Sequence, residues 1–392
     1  MSTILTVYLK EVVDNLRDRR TLMSALLMGP VFGPVLFAVV INLSISRALD
    51  SQSEILEVPV IGAEHAPNLV RFLESRDIAA VDAPADKAEA MTAVRDGSHD
   101  VVVIIPGDIA ERMAVSTPVR IEVISDHSNT TAEREARRVA GAIAAYGQQI
   151  GALRLSLRGI DTTAVQPFNV DEVDVSTPSG RSAVILGMLS YFFLAALLTG
   201  GMNLAIDSTA GERERGSLEP LLSLPVLRDH LIIGKILAAA TFMATSLALS
   251  LITFFFTLRF LPFEELGMTP NFGLPVVLTA FLLLLPFTLL GASLMTLIAS
   301  FTRSYKEAQT WLTAVVLAPT LPILIVSILQ LRPSFELMFV PSLSQHLLLV
   351  DLIKNEPLNG LYVLVSVVGT LALGLVLMFL SARLYRREGL LG

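Results

Sequence analysis

Apolar residues in this chain gather into long unbroken runs, and the polar residues collect between them. Six runs stand out: Leu22–Ile45, Ala183–Ala205, Ile232–Leu258, Leu274–Ile298, Trp311–Leu331 and Leu361–Leu380. A helix needs about 20 apolar residues to cross a bilayer, and these runs are nearly free of charge. A helix there satisfies its own backbone hydrogen bonds while its side chains face oil. Between the first two runs the rhythm changes to short strand and helix patterns. Strands are expected at Val58–Ile61, Ile78–Val81, Val101–Ile105 and Val119–Ser125, and helices at Asn68–Arg76, Asp86–Arg95 and Asp108–Val115. A long helix, Thr131–Leu157, follows with Asn129 or Thr130 as its cap, and a strand-like stretch, Val165–Val175, returns the chain to the membrane. A Val-rich strand between helices implies an α/β sandwich whose sheet is at least partly parallel. The expected fold is an α-helical integral membrane protein with six transmembrane helices and a large extracytoplasmic α/β domain inserted between helices 1 and 2.

Composition agrees. The chain is 53% hydrophobic and 17% charged, with a mean hydropathy of +0.65, against about 45–50% and about 25% for soluble domains. That excludes a soluble enzyme, a fibre and a disordered chain. Residues 46–180 hold 12 Lys+Arg and 21 Asp+Glu, a net of −9, while the remainder is net +2. This balance and a pI near 5.4 exclude a general nucleic-acid binder. The absence of cysteine removes disulfides, thiol catalysis and Cys-ligated metal centres. The N-terminus does not read as a cleavable signal, because its first apolar run is long and lies behind an amphipathic charged segment.

Basic residues set the orientation. Lys10, Arg17, Arg19 and Arg20 precede the first run, Arg213, Arg215, Arg228 and Lys235 lie between the second and third, Arg303 and Lys306 between the fourth and fifth, and Arg383, Arg386 and Arg387 follow the sixth. With six alternating spans all 13 fall on one side, so both termini are expected in the cytoplasm and residues 46–180 outside. The expected divisions are an interfacial helix (residues 1–21), a first span (22–45), the outer domain (46–180), and spans two to six (181–392) with a cytoplasmic segment at 207–230. Leu5, Tyr8, Leu9, Val12, Val13 and Leu16 fall at near-helical spacing, a pattern suited to the headgroup layer with its basic end on anionic lipid.

The tract Gly211–Val226, GERERGSLEPLLSLPV, carries the clearest candidate for function. Four charges, Glu212, Arg213, Glu214 and Arg215, are followed by Gly216 and then by Leu218, Glu219, Pro220, Leu221, Leu222, Leu224 and Pro225. Ser217 is placed to cap a short helix with Pro220 in its first turn and leucines on one side. Such an element suits a membrane surface, a groove on a partner, or a plain solvated loop anchored by leucines.

This tract resembles the coupling segment of type-2 ABC exporter permeases, the sodium-extrusion permeases in particular. The N-terminal Tyr8-Leu9-Lys10-Glu11 through Leu16-Arg17-Asp18-Arg19-Arg20-Thr21, and Ser304-Tyr305-Lys306-Glu307-Ala308-Gln309, resemble that family's interfacial helix and second cytoplasmic loop. The resemblance implies a permease of the bacterial inner membrane that works with a separate cytoplasmic ABC ATPase. ATP and magnesium would bind that partner, and this chain would bind no cofactor. It also implies a second permease copy, normally a homodimer. The four charges of the tract would be docking or hinge charges, the leucines an apolar key, and Arg303, Lys306 and Glu307 a second contact. The chain fits that division: Gly234-Lys235 is followed by Ile236 and position 229 is Asp, so it carries no phosphate-cradling loop there.

Other features narrow the reading. Asp207 and Lys235 sit at the ends of expected spans and no charged residue lies deep inside one, which argues against an ion-coupled carrier. Five scattered histidines and no HExxH leave no metalloprotease site. Pro30, Pro34, Pro286, Pro319 and Pro322 lie inside expected spans as hinges or static kinks. Ser190, Tyr191, Thr199, Thr245, Ser246 and Thr253 either line a path or bond back to their own helices. Phe335–Leu352 is apolar but broken by Pro341, and is expected to re-enter the membrane or lie on its outer face. The cargo classes in view are sodium, a drug or a lipid. The competing function is a membrane-anchored sensor or binding protein whose outer domain captures a ligand or envelope partner.

Overall fold

Helix α1, Thr3–Arg17, has a face for each of its surroundings: Leu5, Leu9, Val13 and Leu16 are exposed in one stripe, Lys10 and Asp14 form a polar side, and Glu11 and Asn15 are buried. The computed structural model describes residues 2–53, 55–161, 173, 176–217, 220, 223, 225–329 and 331–386. It divides into residues 1–46 with 175–392, and residues 47–174. After α1 and a short turn of helix the chain enters a π-helical stretch, Ser24–Phe32, and then α2, Gly33–Ser53. Pro30 lies inside the π-helical stretch; proline has no N–H to give, and a widened turn absorbs the lost bond.

Residues 47–174 form β1 (Leu56–Ile61), α3 (Pro67–Glu74), β2 (Ile78–Val81), α4 (Lys87–Arg95), β3 (Val101–Ile104), α5 (Ile109–Ala114), β4 (Glu122–Ser125) and α6 (Thr130–Leu157). The sheet order is β2-β1-β3-β4, with β1 parallel to β2 and β3, and β4 antiparallel to β3. Alternation along the strands sends Val58, Val60, Val101 and Val103 to one face, where they meet Leu69 and Leu73 of α3 and Val139 of α6. Val102 points the other way, onto Ala90 and Val94 of α4. The helix starts are set by side chains: Asp86 accepts from Glu89 N at 2.8 Å and Asn129 from Thr131 N at 2.9 Å. Strand β4 is shorter than the expected Val119–Ser125, because β3 offers only Val101–Ile104 to pair with. The expected strand Val165–Val175 lies, but for Val173, outside the described residues.

Most of the remaining described residues are helical. Thr177 caps α7, Pro178–Leu186, and is followed by α8 (Leu189–Ile206), α9 (Arg228–Thr257), α10 (Leu274–Phe301), α11 (Tyr305–Leu317), α12 (Thr320–Leu329), α13 (Leu343–Lys354) and α14 (Gly360–Arg386). Among the described residues, six segments are long and apolar enough to cross a membrane: Ala25–Arg47, Leu189–Glu214, Arg228–Phe260, Leu274–Phe301, Tyr305–Leu329 and Gly360–Tyr385. Spans two, three and four are 67%, 50% and 56% buried, whereas spans one, five and six are at most 22% buried, so the first three form the centre. Small residues let them approach: a Cβ on Gly200 of α8 would lie 2.3 Å from Cβ of Ser246 on α9.

Two boundaries differ from expectation. The second span begins at Leu189 rather than Ala183, because Thr177 and Pro178 start a helix of their own that ends at Gly187. The fifth span is broken between α11 and α12 at Ala318 and Pro319, where the proline ring displaces the preceding turn. Pro286, by contrast, is buried inside an unbroken α10.

Candidate functional site

Beyond Ile206 the second span does not stop at the charges. It continues through a π-helical turn, Asp207–Gly211, and a last helical turn, Glu212–Glu214. Gly216 then ends it. With φ at +68°, it sends its N–H to Arg213 O at 3.0 Å while Ser217 N bonds Glu212 O at 3.0 Å. This is a Schellman closure, and its left-handed residue favours glycine. The Ser217 hydroxyl also donates to Glu212 O, at 3.2 Å, and so helps finish this helix.

Each of the four charges from Glu212 to Arg215 has its own partner. Glu212 is 8% exposed and forms an ion pair with Lys235, whose Nζ also donates to Ser208 O at 2.7 Å. Lys235 is 1% exposed and lies inside α9. An ion pair removed from water this far costs desolvation, so both charges must be held together. Arg213 donates to Thr302 O at 2.8 Å, just past the end of α10. Glu214 accepts from Tyr305 N at 2.6 Å, at the start of α11. Arg215 turns back to Asp207, with Nη1 2.9 Å from the carboxylate and Nη2 3.2 Å from the carbonyl.

Helix α1 joins the same place. Gly234, beside Lys235, is so close to α1 that a Cβ would lie 2.9 Å from Val7 and 3.0 Å from Ile4 O. Tyr8 Oη meets Thr241 Oγ1 at 3.2 Å, and buried Glu11 pairs with Lys10 at 3.0 Å. Burial pulls the Lys10 ammonium down, but Glu11, with Glu212 and Asp14 behind it, outweighs burial and holds it above the usual lysine value. On α14, buried Tyr385 accepts from Ser300 Oγ of α10 at 3.3 Å. These bonds gather α1 and the adjoining ends of spans two to six at one pole of the bundle.

The other expected site residues are placed unevenly. Glu307 folds back on the start of its own helix: Ser304, the N-cap of α11, accepts from Glu307 N through its Oγ at 3.3 Å, and the Glu307 carboxylate accepts from Arg303 N at 2.9 Å. The side chains of Arg303 and Lys306 are exposed, as are Pro220 and Pro225. Leu218, Glu219, Leu221 and Leu222 lie outside the described residues. Sequence reasoning missed Lys235, Glu11 and Asp207 as members of this junction. The available signal was Lys235 itself, a charge within one helical run of an apolar span and therefore in need of a partner.

A second polar cluster occupies the opposite pole. Ser342 caps α13, and the fully buried Gln345 uses every group it has. Its Oε1 accepts from Ser342 N at 2.7 Å and Ser344 Oγ at 3.2 Å, and its Nε2 donates to Ser366 Oγ at 3.2 Å and Thr370 Oγ1 at 2.8 Å. His346 Nδ1 meets Ser190 Oγ at 2.6 Å. Asn271 and Ser179 donate to the Leu352 and Lys354 carbonyls, each at 3.0 Å.

Comparison with known proteins completes the picture. The chain is 28% identical over 388 residues to the ABC transporter permease protein NatB of Bacillus subtilis (strain 168), an alignment covering 96% of each. The family model described as ABC-2 family transporter protein matches residues 22–383, from the start of the first span to the end of the sixth. The chain therefore belongs to the ABC-2 transporter family and is a multi-pass membrane permease subunit of an ABC transporter.

Proposed function

We propose that this chain is the membrane-spanning half of an ATP-driven exporter, and that the buried junction around Glu212 and Lys235 passes force from a cytoplasmic ABC ATPase into the spans. The observation that carries the reading is the set of bonds from one short tract, Asp207–Gly216, to α9, to Thr302 at the end of α10, and to α11. A push on this tract reaches several helices at once. Of the two roles open to Glu212, docking charge and hinge charge, its burial favours the hinge. Arg303 and Lys306, exposed beside it, suit docking.

Basic residues concentrate at this pole, so it is assigned to the cytoplasm, with both termini beside it, in a bacterial inner membrane. The opposite pole is then outer, residues 47–174 are extracytoplasmic, and α13 is a re-entrant helix that descends beside α14 to Thr370, roughly 15 Å along that helix from Gly360 at 1.5 Å per residue. The exposed stripe of α1 lies in the inner leaflet. A second copy of the chain completes the path, with ATP and magnesium on the partner ATPase. Sodium, a drug or a lipid remain the cargo classes of this reading. The test is co-purification with an ATPase encoded beside this gene, followed by Leu218→Asp. The reading expects loss of the complex and of stimulated ATP hydrolysis; retention of both overturns it.

A further inference from the structure

Among the described residues, the buried positions of α14 are Ser366, Thr370, Gly374, Ser381, Ala382 and Tyr385, and none is a large aliphatic residue. Spaced by four, four, seven and four residues, Ser366, Thr370, Gly374, Ser381 and Tyr385 fall on one stripe of the helix. The stripe faces α10. A Cβ on Gly374 would lie 3.0 Å from Leu290 N, and Tyr385 Oη meets Ser300 Oγ at 3.3 Å. Between these two contacts Ser293 and Thr296 lie on the same side of α10, three and six residues beyond Leu290. The opposite side of α10 is closed, since a Cβ on Gly291 would lie 2.7 Å from Leu198 of α8 and 3.3 Å from Met243 of α9.

Hydroxyls inside apolar helices commonly bond back to a carbonyl of their own helix. Thr288 does so to Leu285 O at 2.7 Å, Ser300 to Thr296 O at 2.7 Å and Ser381 to Leu377 O at 2.9 Å. Ser293 and Thr296 do not. Both residues are at most 1% exposed, and neither hydroxyl has a partner among the described residues. A buried polar atom left bare is costly, and a water molecule that reaches several such groups removes the cost. Ser300 and Ser381, though bonded back, keep lone pairs to offer it. Ser293, Thr296, Ser300, Ser381 and Tyr385 are all neutral, so the strip suits water and not a metal ion.

We propose that water bound on Ser293 and Thr296 bridges span four to span six. It reaches from the pole of Glu212 and Lys235 roughly 12 Å into the bundle, the length of α10 from Phe301 back to Ser293 at about 1.5 Å per residue. The proposal stands apart from the coupling reading, since it needs neither ATPase nor transport.

The test uses the full chain in lipid nanodiscs. X-ray pulses convert bound water to hydroxyl radicals that oxidise adjacent side chains, and peptide mass spectrometry reads the products. Leu290, beside the strip, should be oxidised several-fold faster than Leu247 of α9, which is also buried. Thr296→Val keeps the shape and removes the hydroxyl. It should slow the oxidation of Leu290 and lower the melting temperature, followed through Trp311, by about 2 °C or more, because the bridging water loses a partner. Were the hydroxyl simply bare, the same change would raise the melting temperature. Thr245→Val, at an exposed threonine that bonds back to Thr241 O, should leave the oxidation of Leu290 unchanged. A melting temperature of Thr296→Val that stays or rises, or oxidation of Leu290 no faster than that of Leu247, overturns the proposal.

Discussion

Glu212 and Lys235 at one pole and Gln345 at the other are all buried polar side chains, yet they are satisfied differently. The first two depend on each other: one carboxylate and one ammonium, joined between the second and third spans. Gln345 depends on a ring of neutral partners from α13 and α14, each accepting or donating along a fixed direction. A neutral knot loses about 1–3 kcal/mol when one member is removed. A buried ion pair loses more, because the charge left behind has no water to turn to. The difference teaches where each pole is sensitive. The charged pole answers to electrostatics and to any motion that parts its helices, whereas the neutral pole answers to shape.

Breaking the charged pole gives the largest expected effect. Lys235→Met alone should destabilise the chain by about 3–5 kcal/mol, while Glu212→Leu with Lys235→Met should recover most of that loss. Thermal unfolding followed through the single tryptophan, Trp311, measures both. A double variant as unstable as the single one would show that the pair is not what holds this pole.

Gln345→Leu tests the knot itself, with an expected loss of about 1–3 kcal/mol because Ser342 N, Ser366 and Thr370 lose their partner. At the bottom of the scale, Arg215→Gln removes a half-exposed pair with Asp207 and should cost no more than about 1 kcal/mol. A larger loss in melting temperature would mean that this pair, too, belongs to the buried junction.

The two poles were also unequally legible in the sequence. Long apolar runs made the six spans visible, and the strand and helix pattern of residues 56–157 was readable because alternation and caps such as Asp86 and Asn129 are local signals. The tract Gly211–Val226 was visible as a cluster of charges, but its bonding was not. Charges near span ends read as solvent-facing, and only the fold reveals that Lys235 lies within α9 against Glu212. Glu307 was visible as a charge, but the bond its carboxylate accepts from Arg303 N was not. Gln345 gave no signal, because its partners Ser366 and Thr370 lie more than 20 residues away along the chain. The break at Gly187 was hidden because hydropathy runs through it.

On the proposed coupling, the charged pole transmits ATP hydrolysis and the neutral pole does not. The most direct measurement is the rate of ATP hydrolysis by the partner ATPase, reconstituted with permease carrying either Glu212→Leu with Lys235→Met or Gln345→Leu. The first variant is expected to assemble still but to stimulate hydrolysis at least about tenfold less, a change of roughly 1.4 kcal/mol in the barrier, while the second stimulates at the unaltered rate. Full stimulation by the first variant, or its loss in the second alone, would contradict it.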